Sequence, residues 1–268
     1  MQDLSQWVRT FRDLDIPVLS HSAQQLEGLR ARQDAVDANL LGEAFAGDPL
    51  MTLKILAYAS THRSPRLITE TETLTATLVM MGVGPFFRAF CTQTTVEERL
   101  ASQPQALDGL LSAIHRSHRA SVLALGFAVH RRDGDATVIH LAALLHDLAE
   151  LLLWCHRPDL ALQLQRLQMQ DATLRSVAVQ RAVLNIELSE LQQALMKAWR
   201  LPNLLVRISD DAHADHPSVR CVLLGVRLAR HSALGWENPA LLDDLLEISR
   251  LLNMSTEATY RFVREIVR

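Results

Sequence analysis

The chain has 268 residues, of which 49% are hydrophobic and 21% charged, and its net charge at pH 7 is −3. This composition excludes a disordered chain and provides no basic run of the kind that binds nucleic acid. The length suits one large domain or two small ones. The three cysteines, Cys91, Cys155 and Cys221, are far apart and odd in number. They argue against a disulfide framework or zinc ribbon and favour a reducing compartment.

Two further features indicate a cytoplasmic protein. The amino terminus has no basic segment followed by an apolar core, so no signal peptide is expected. The longest apolar stretch, 139–153, is interrupted by His146, Asp147 and Glu150, and we therefore expect no membrane span. Neither nucleic acid nor a membrane is expected as a partner.

Apolar residues recur at helical spacing along nearly the whole chain, and no stretch alternates as a strand would. Residues 1–15 are predicted to form an amphipathic helix that packs on the body. Asp48 and Pro49 are typical of a capped helix start, and Gly82 of a helix end. Residues 62–65 are predicted to form a loop. The remaining helices are predicted at 34–46, from 49, 71–81, from 85, 106–130, 136–155, 171–184, 187–199, 203–210, 219–234, 240–252 and 256–267.

This pattern predicts an all-α fold of roughly a dozen helices in two closely packed halves. Gln103-Pro104 is predicted as the main joint. The predicted division is an amino-terminal amphipathic helix at 1–15, a helical subdomain at 16–103 and a second helical subdomain at 104–268.

A candidate metal site lies on two consecutive predicted helices. His118 is on the helix at 106–130, and His146-Asp147 is on the helix at 136–155. Antiparallel neighbours can bring these side chains together, and imidazole and carboxylate suit divalent metals. His115 and His140 share helical faces with this set and are further candidates. His213 and His216 resemble a metal clip, although a polar loop is the more frequent explanation of such spacing. The Asp243-Asp244 pair is predicted to lie on a solvated helix face.

The residues around this site resemble the HD superfamily of metal-dependent phosphohydrolases, through His118-Arg-Ala-Ser-Val122 and Ala142-Ala-Leu-Leu-His146-Asp147. More of the chain resembles the HDOD (HD-related output domain) family, over roughly residues 16 to 230. The motifs that carry this second resemblance are Ile16-Pro17-Val18-Leu19, Gly47-Asp48-Pro49-Leu50, Thr77-Leu78-Val79-Met80-Met81-Gly82 and Leu191-Gln-Gln-Ala-Leu195-Met-Lys-Ala-Trp199-Arg-Leu201-Pro202.

The resemblance implies an all-helical regulatory domain of bacterial signal transduction, without hydrolase activity. Such a protein would bind a signalling protein partner or a small ligand, and it would need no cofactor. Three departures weaken the metal site: Val226 stands where a working HD site has its last aspartate, Glu150 lies close to the place of a phosphate-binding lysine, and Ser209-Asp210-Asp211 replaces a His-His pair. His118, His146 and Asp147 are therefore interpreted as a vestigial metal-ligand set.

Two alternatives remain open at this point. The first is a metal-dependent phosphohydrolase acting on a nucleotide or cyclic dinucleotide, in which His118, His146 and Asp147 bind the metal and activate water. His140, Glu150 or Glu187 would then supply the missing ligand. The second is a dimerisation or scaffold module, which an exposed apolar face would favour.

Overall fold

A computed structural model describes residues 2–62, 71–171 and 174–268. Apart from one isolated bridge between Val18 and Thr95, the regular secondary structure of the described residues is helical, which confirms the predicted fold class. Two predictions lie partly outside them, namely the loop at 62–65 from residue 63 onward and the helix at 171–184 at residues 172–173. The α-helices are α1 (Leu4–Arg12), α2 (Ser20–Arg30), α3 (Ala38–Phe45), α4 (Pro49–Thr61), α5 (Leu74–Met81), α6 (Val83–Ala89), α7 (Val96–Arg99), α8 (Pro104–His130), α9 (Ala136–Leu144), α10 (Leu148–His156), α11 (Pro158–Gln170), α12 (Ser176–Leu184), α13 (Leu188–Ala198), α14 (Asn203–Ile208), α15 (Pro217–His231), α16 (Ala240–Leu252) and α17 (Thr256–Ile266).

The helices are more numerous than the dozen predicted, because α2, α7 and α11 were not predicted and because one predicted helix is two. The stretch 136–155 was expected to be continuous, but α9 ends at Leu144 and α10 begins at Leu148. Between them the amide of Leu145 still donates to the carbonyl of Leu141, whereas the amide of His146 makes only a 3.4 Å bond to Ala143. The regular backbone hydrogen bonding of α9 thus ends at this turn. Apolar periodicity did not reveal this break because the residues on both sides are buried.

The chain forms two compact units, each built from two segments. The first unit comprises Met1–Ile114 and Asp147–Leu201, and the second comprises His115–His146 and Pro202–Arg268. These boundaries differ from the sequence-based division at 15/16 and 103/104. Residue 104 is the beginning of α8, and that helix contributes residues to both units.

The first unit has an aromatic core. Phe86 is fully buried and lies with its ring centre 6.1 Å from that of Phe45 and 5.0 Å from that of Phe90. Asp48 is buried beside this core and caps α4, because its carboxylate accepts from the amides of Leu50 and Met51. The predicted capped start at Asp48 is therefore confirmed.

The amino-terminal helix packs on the first unit, as predicted. Trp7 and Phe11 of α1 are buried. The indole nitrogen of Trp7 donates to the carbonyl of Leu184 at 3.1 Å, and that of Trp199 donates to the carbonyl of Arg12 at 3.1 Å. Burial of the apolar stripe and these two bonds attach α1 to the second segment of the same unit.

The second unit is organised around α15, which packs against α9 and α16. Gly225 lets α15 approach α8 closely, because a Cβ atom there would lie 2.9 Å from the carbonyl oxygen of Ala120. A side chain at residue 225 would push these helices apart.

Among the described residues, one stretch, Ala136–His156, is long and apolar enough to cross a membrane by length and composition. In the structure 78% of its most apolar window is buried inside the protein. A core segment passes the same test, so this stretch is weak evidence for a membrane span.

Candidate functional site

The candidate site begins at the turn after α9, where His146 is mostly covered. Its Nε2 atom lies 3.1 Å from Oδ1 of Asp211, and the two side chains are 14% and 46% exposed. Asp211 opens a short 3-10 turn, Asp211–His213, that follows α14. Because α14 packs against α9, residues 65 apart in sequence meet at this point of the second unit.

Asp147 is the first residue of the second segment of the first unit. It occupies the N-cap position of α10, but its side chain makes no capping bond there. Its backbone carbonyl accepts from the amide of Leu151 at 3.1 Å. The backbone role of Asp147 is therefore to start α10 immediately after the turn.

His118 lies on α8 and belongs to the second unit. It is exposed, yet partial desolvation and then the neighbouring His115 lower the pKa of its imidazole. The pKa of His140, on α9, is lowered to about 4 by burial and secondarily by His118. The structure thus places His118 within electrostatic reach of His115 and of His140, and desolvation favours the neutral imidazole of His118 and of His140.

These residues do not form a complete metal centre. No group of three or more His, Cys, Asp or Glu side chains among the described residues is placed to hold a metal ion. Val226, which the resemblance to the HD superfamily matches with the last aspartate of a working site, is 4% exposed within α15. An apolar buried side chain cannot serve as a ligand, so the donor set does not fit a closed divalent site. The vestigial role of His118, His146 and Asp147 stays a prediction.

The other candidate ligands have local structural roles. Glu187 forms an ion pair with Arg181 and a capping box with Glu190 at the start of α13. The indole nitrogen of Trp154 donates to Glu150 at 3.4 Å.

The predicted metal clip also contributes to local structure. His213 lies 3.3 Å from the carboxylate of Asp210. His216 caps α15 by accepting from the amide of Ser218. The polar-loop interpretation of these two histidines accounts for both contacts.

Asp243 and Asp244 were both predicted to lie on a solvated helix face, and this prediction was wrong for Asp244. Asp243 is exposed, but Asp244 has 0% exposure. Its carboxylate accepts from Arg227 at 2.8 Å and from Nδ1 of His231 at 2.6 Å. Burial is tolerated because a guanidinium and an imidazole donor on α15 face it, which helical periodicity on α16 alone could not reveal.

Asp211 is the site residue that sequence analysis missed. Its position was noted only because Ser209-Asp210-Asp211 replaces a His-His pair. The two residues are 65 positions apart, and no local pattern in the sequence pointed to His146 as the partner of Asp211.

The HDOD domain family matches residues 16–215. The chain belongs to the HDOD family. The family match ends before α15, so α15, α16 and α17 lie beyond it. No curated protein matches the chain.

Solved structures similar to this HDOD protein include three from bacteria. They are the MmoQ response regulator from Methylococcus capsulatus str. Bath (TM-score 0.69, 18% identity, 93% of this chain and 98% of that chain), a virulence factor from Campylobacter jejuni (0.66, 14%, 99% and 98%), and an HDOD domain protein of unknown function from Geobacter sulfurreducens (0.51, 15%, 98% and 93%). At these identities the likeness shows a shared fold.

Proposed function

We propose that this HDOD protein is a non-catalytic regulator of bacterial signal transduction that works in the cytoplasm by binding a protein partner or a small ligand. Membership of the HDOD family supports a regulatory role. The similar structure from Methylococcus capsulatus is named a response regulator, and that name supports the link to signalling. Fold similarity by itself does not establish function, so the proposal depends on the site.

The observation that carries the proposal is the contact between His146 and Asp211. The Asp211 carboxylate lies 3.1 Å from Nε2 of His146. A metal bound through that nitrogen would have to displace this contact. The pair ties the turn after α9 to the turn after α14. In this role the histidine of the HD motif positions backbone segments for binding, and no bond-breaking step is required of it.

The buried Val226 supports the same interpretation. Hydrolysis of a phosphodiester by a metal-activated water needs a ligand set that leaves one position open for the water. Here Val226, the residue that the resemblance matches with the last carboxylate ligand, is buried in the second unit.

The proposal is tested by genetic rescue with a variant that lacks both HD-motif ligands. In a deletion strain of the source bacterium, His146→Gln with Asp147→Asn should restore the wild-type transcript pattern. Glutamine keeps an amide donor for Asp211, and asparagine keeps the shape of Asp147, so the fold should persist. Far-UV circular dichroism and protein abundance serve as controls for folding.

Failure of a folded, normally abundant double variant to restore transcripts would contradict the non-catalytic proposal. The matched control is Asp243→Asn, which alters an exposed carboxylate on α16 and should rescue fully.

A further inference from the structure

Two arginines of the second unit share one aromatic ring. The Cζ atom of Arg264 lies 4.9 Å from the centre of the Trp236 ring, and that of Arg119 lies 5.5 Å from it. Tyr260 meets the indole edge-on with ring centres 5.9 Å apart, and Arg264 lies 6.0 Å from the Tyr260 ring. Residues from α8, α17 and the connection between α15 and α16 thus build a cationic cluster on an aromatic base.

This cluster, Arg119, Trp236, Tyr260 and Arg264, has no internal negative charge. Among the described residues no carboxylate pairs with Arg119 or Arg264, whereas Arg261 on the same helix α17 pairs with Glu257. Burial and then the charge of Arg264 lower the pKa of Arg119. A guanidinium stays protonated at neutral pH, so two like charges are held close together without compensation.

Arg119 also carries unused hydrogen-bond donors. Its Nε and Nη2 atoms are buried and have no acceptor among the residues that the structure describes. A buried donor without a partner destabilises the folded state, and such a group calls for an explanation such as a bound ion. These two nitrogens have the geometry that holds an oxyanion with two parallel bonds.

We propose that the Arg119–Trp236–Arg264 cluster is a binding site for a phosphate group carrying two negative charges. The aromatic rings hold the guanidinium planes in place, so less conformational entropy is lost when the anion binds. Arg264 is exposed and lies over the same indole ring. A phosphate group at the Nε and Nη2 edge of Arg119 therefore also meets the positive charge of Arg264.

The site is independent of the HD motif and of the function proposed above. Trp236, Tyr260 and Arg264 lie beyond residue 215, where the family match ends. The proposed regulatory role could therefore hold without the phosphate site, and the phosphate site could exist in a protein with another role.

Calorimetric titration of the full chain with inorganic phosphate at pH 7.5 and low ionic strength tests the proposal. We expect saturable binding to the wild type and about tenfold or greater weakening in Arg264→Gln and Arg119→Gln, because each removes charge-assisted bonds. Arg261→Gln is the matched control, since it removes an arginine of α17 that pairs with Glu257, and it should bind like the wild type. Circular dichroism checks that each variant is folded.

A second titration with adenosine monophosphate separates two sources of the same group. Tighter binding than inorganic phosphate, with the same dependence on Arg264, identifies a nucleotide whose base uses the aromatic side chains. Equal binding identifies the phosphate group alone as the ligand. No saturable binding by the wild type, or equal loss in Arg261→Gln and Arg264→Gln, would overturn the proposal.

Discussion

The two units of the molecule bury different chemistry. The first unit surrounds Phe86 with other aromatic side chains, and its buried Asp48 is satisfied by local amides and by Ser22. The second unit buries the Asp244 carboxylate between the guanidinium of Arg227 and the imidazole of His231, and donors of Arg119 have no acceptor among the described residues. The buried carboxylate of the first unit thus has neutral partners, whereas that of the second unit faces the guanidinium of Arg227. Anion recognition is therefore sought in the second unit, where Arg119 and Arg264 share the Trp236 ring.

Removal of an aromatic side chain should have the largest effect and should break the first unit. Phe86→Ala leaves a cavity among rings that have no solvent contact, so we expect a loss of about 3 to 5 kcal/mol in the free energy of unfolding. Urea denaturation measures it. Met169→Ala, at a side chain that is 79% exposed on α11, should change stability by less than about 0.5 kcal/mol. Similar losses in both variants would show that the aromatic core is not the main source of stability.

Removal of the buried carboxylate should have the next largest effect and should act on the second unit. Asp244→Ala leaves Arg227 and His231 without their carboxylate partner, so we expect a loss of about 2 to 4 kcal/mol in the free energy of unfolding. The loss should be smaller than for a completely buried ion pair, because Arg227 is partly exposed. Asp243→Ala alters the neighbouring exposed carboxylate and should cost less than about 0.5 kcal/mol. Thermal denaturation of the two variants compares them. Equal melting temperatures would contradict the charge-centred account of this unit.

The smallest effect should be a dependence of stability on pH, present in both units. The pKa of His140 in the second unit and that of His156 in the first are each lowered to about 4, mainly by burial. An unfolded histidine takes up its proton near pH 6.5, so the unfolded state binds more protons between pH 6.5 and 4. Stability is therefore fully present above pH 6.5 and is lost as the pH falls towards 4, by less than about 1.4 kcal/mol per pH unit for each group.

Substitution of each histidine in turn measures its own contribution to the pH dependence of stability. His140→Gln and His156→Gln should each reduce the loss of unfolding free energy between pH 7 and pH 5, as measured by urea denaturation. The comparison with the wild type isolates each imidazole from Asp48, whose burial raises its pKa and acts in the opposite sense. An unchanged pH slope in both variants would show that neither imidazole is buried neutral.

Local patterns predicted many helix starts and ends, but they missed α2, α7 and α11, and contacts across the chain lay beyond them. The capped start at Asp48 and the stop at Gly82, which has a φ of 78°, follow from residue chemistry that acts within one turn. The break at His146 was not predictable because apolar residues continue on both sides of it.

The partners of the charged residues could not be predicted for a similar reason. Asp244 is held by residues 17 and 13 positions earlier, and His146 meets a residue 65 positions later. Helical periodicity assigns a residue to a face of its own helix, but it does not name the side chain opposite. The set His118, His146 and Asp147 was chosen from residue types and their spacing on two consecutive helices, and the family resemblance then agreed with it. The contact between His146 and Asp211 emerged only from the packing of α14 on α9.

The most direct test of the central claim is the metal content of the purified full chain, with and without His146→Ala, after incubation with manganese, iron or zinc. Elemental analysis gives the stoichiometry. If His146 serves as the partner of Asp211, the wild type and the variant should contain the same, far less than stoichiometric, amount of metal. Near-stoichiometric metal in the wild type that disappears in His146→Ala would contradict the claim and identify the HD motif as a working metal site.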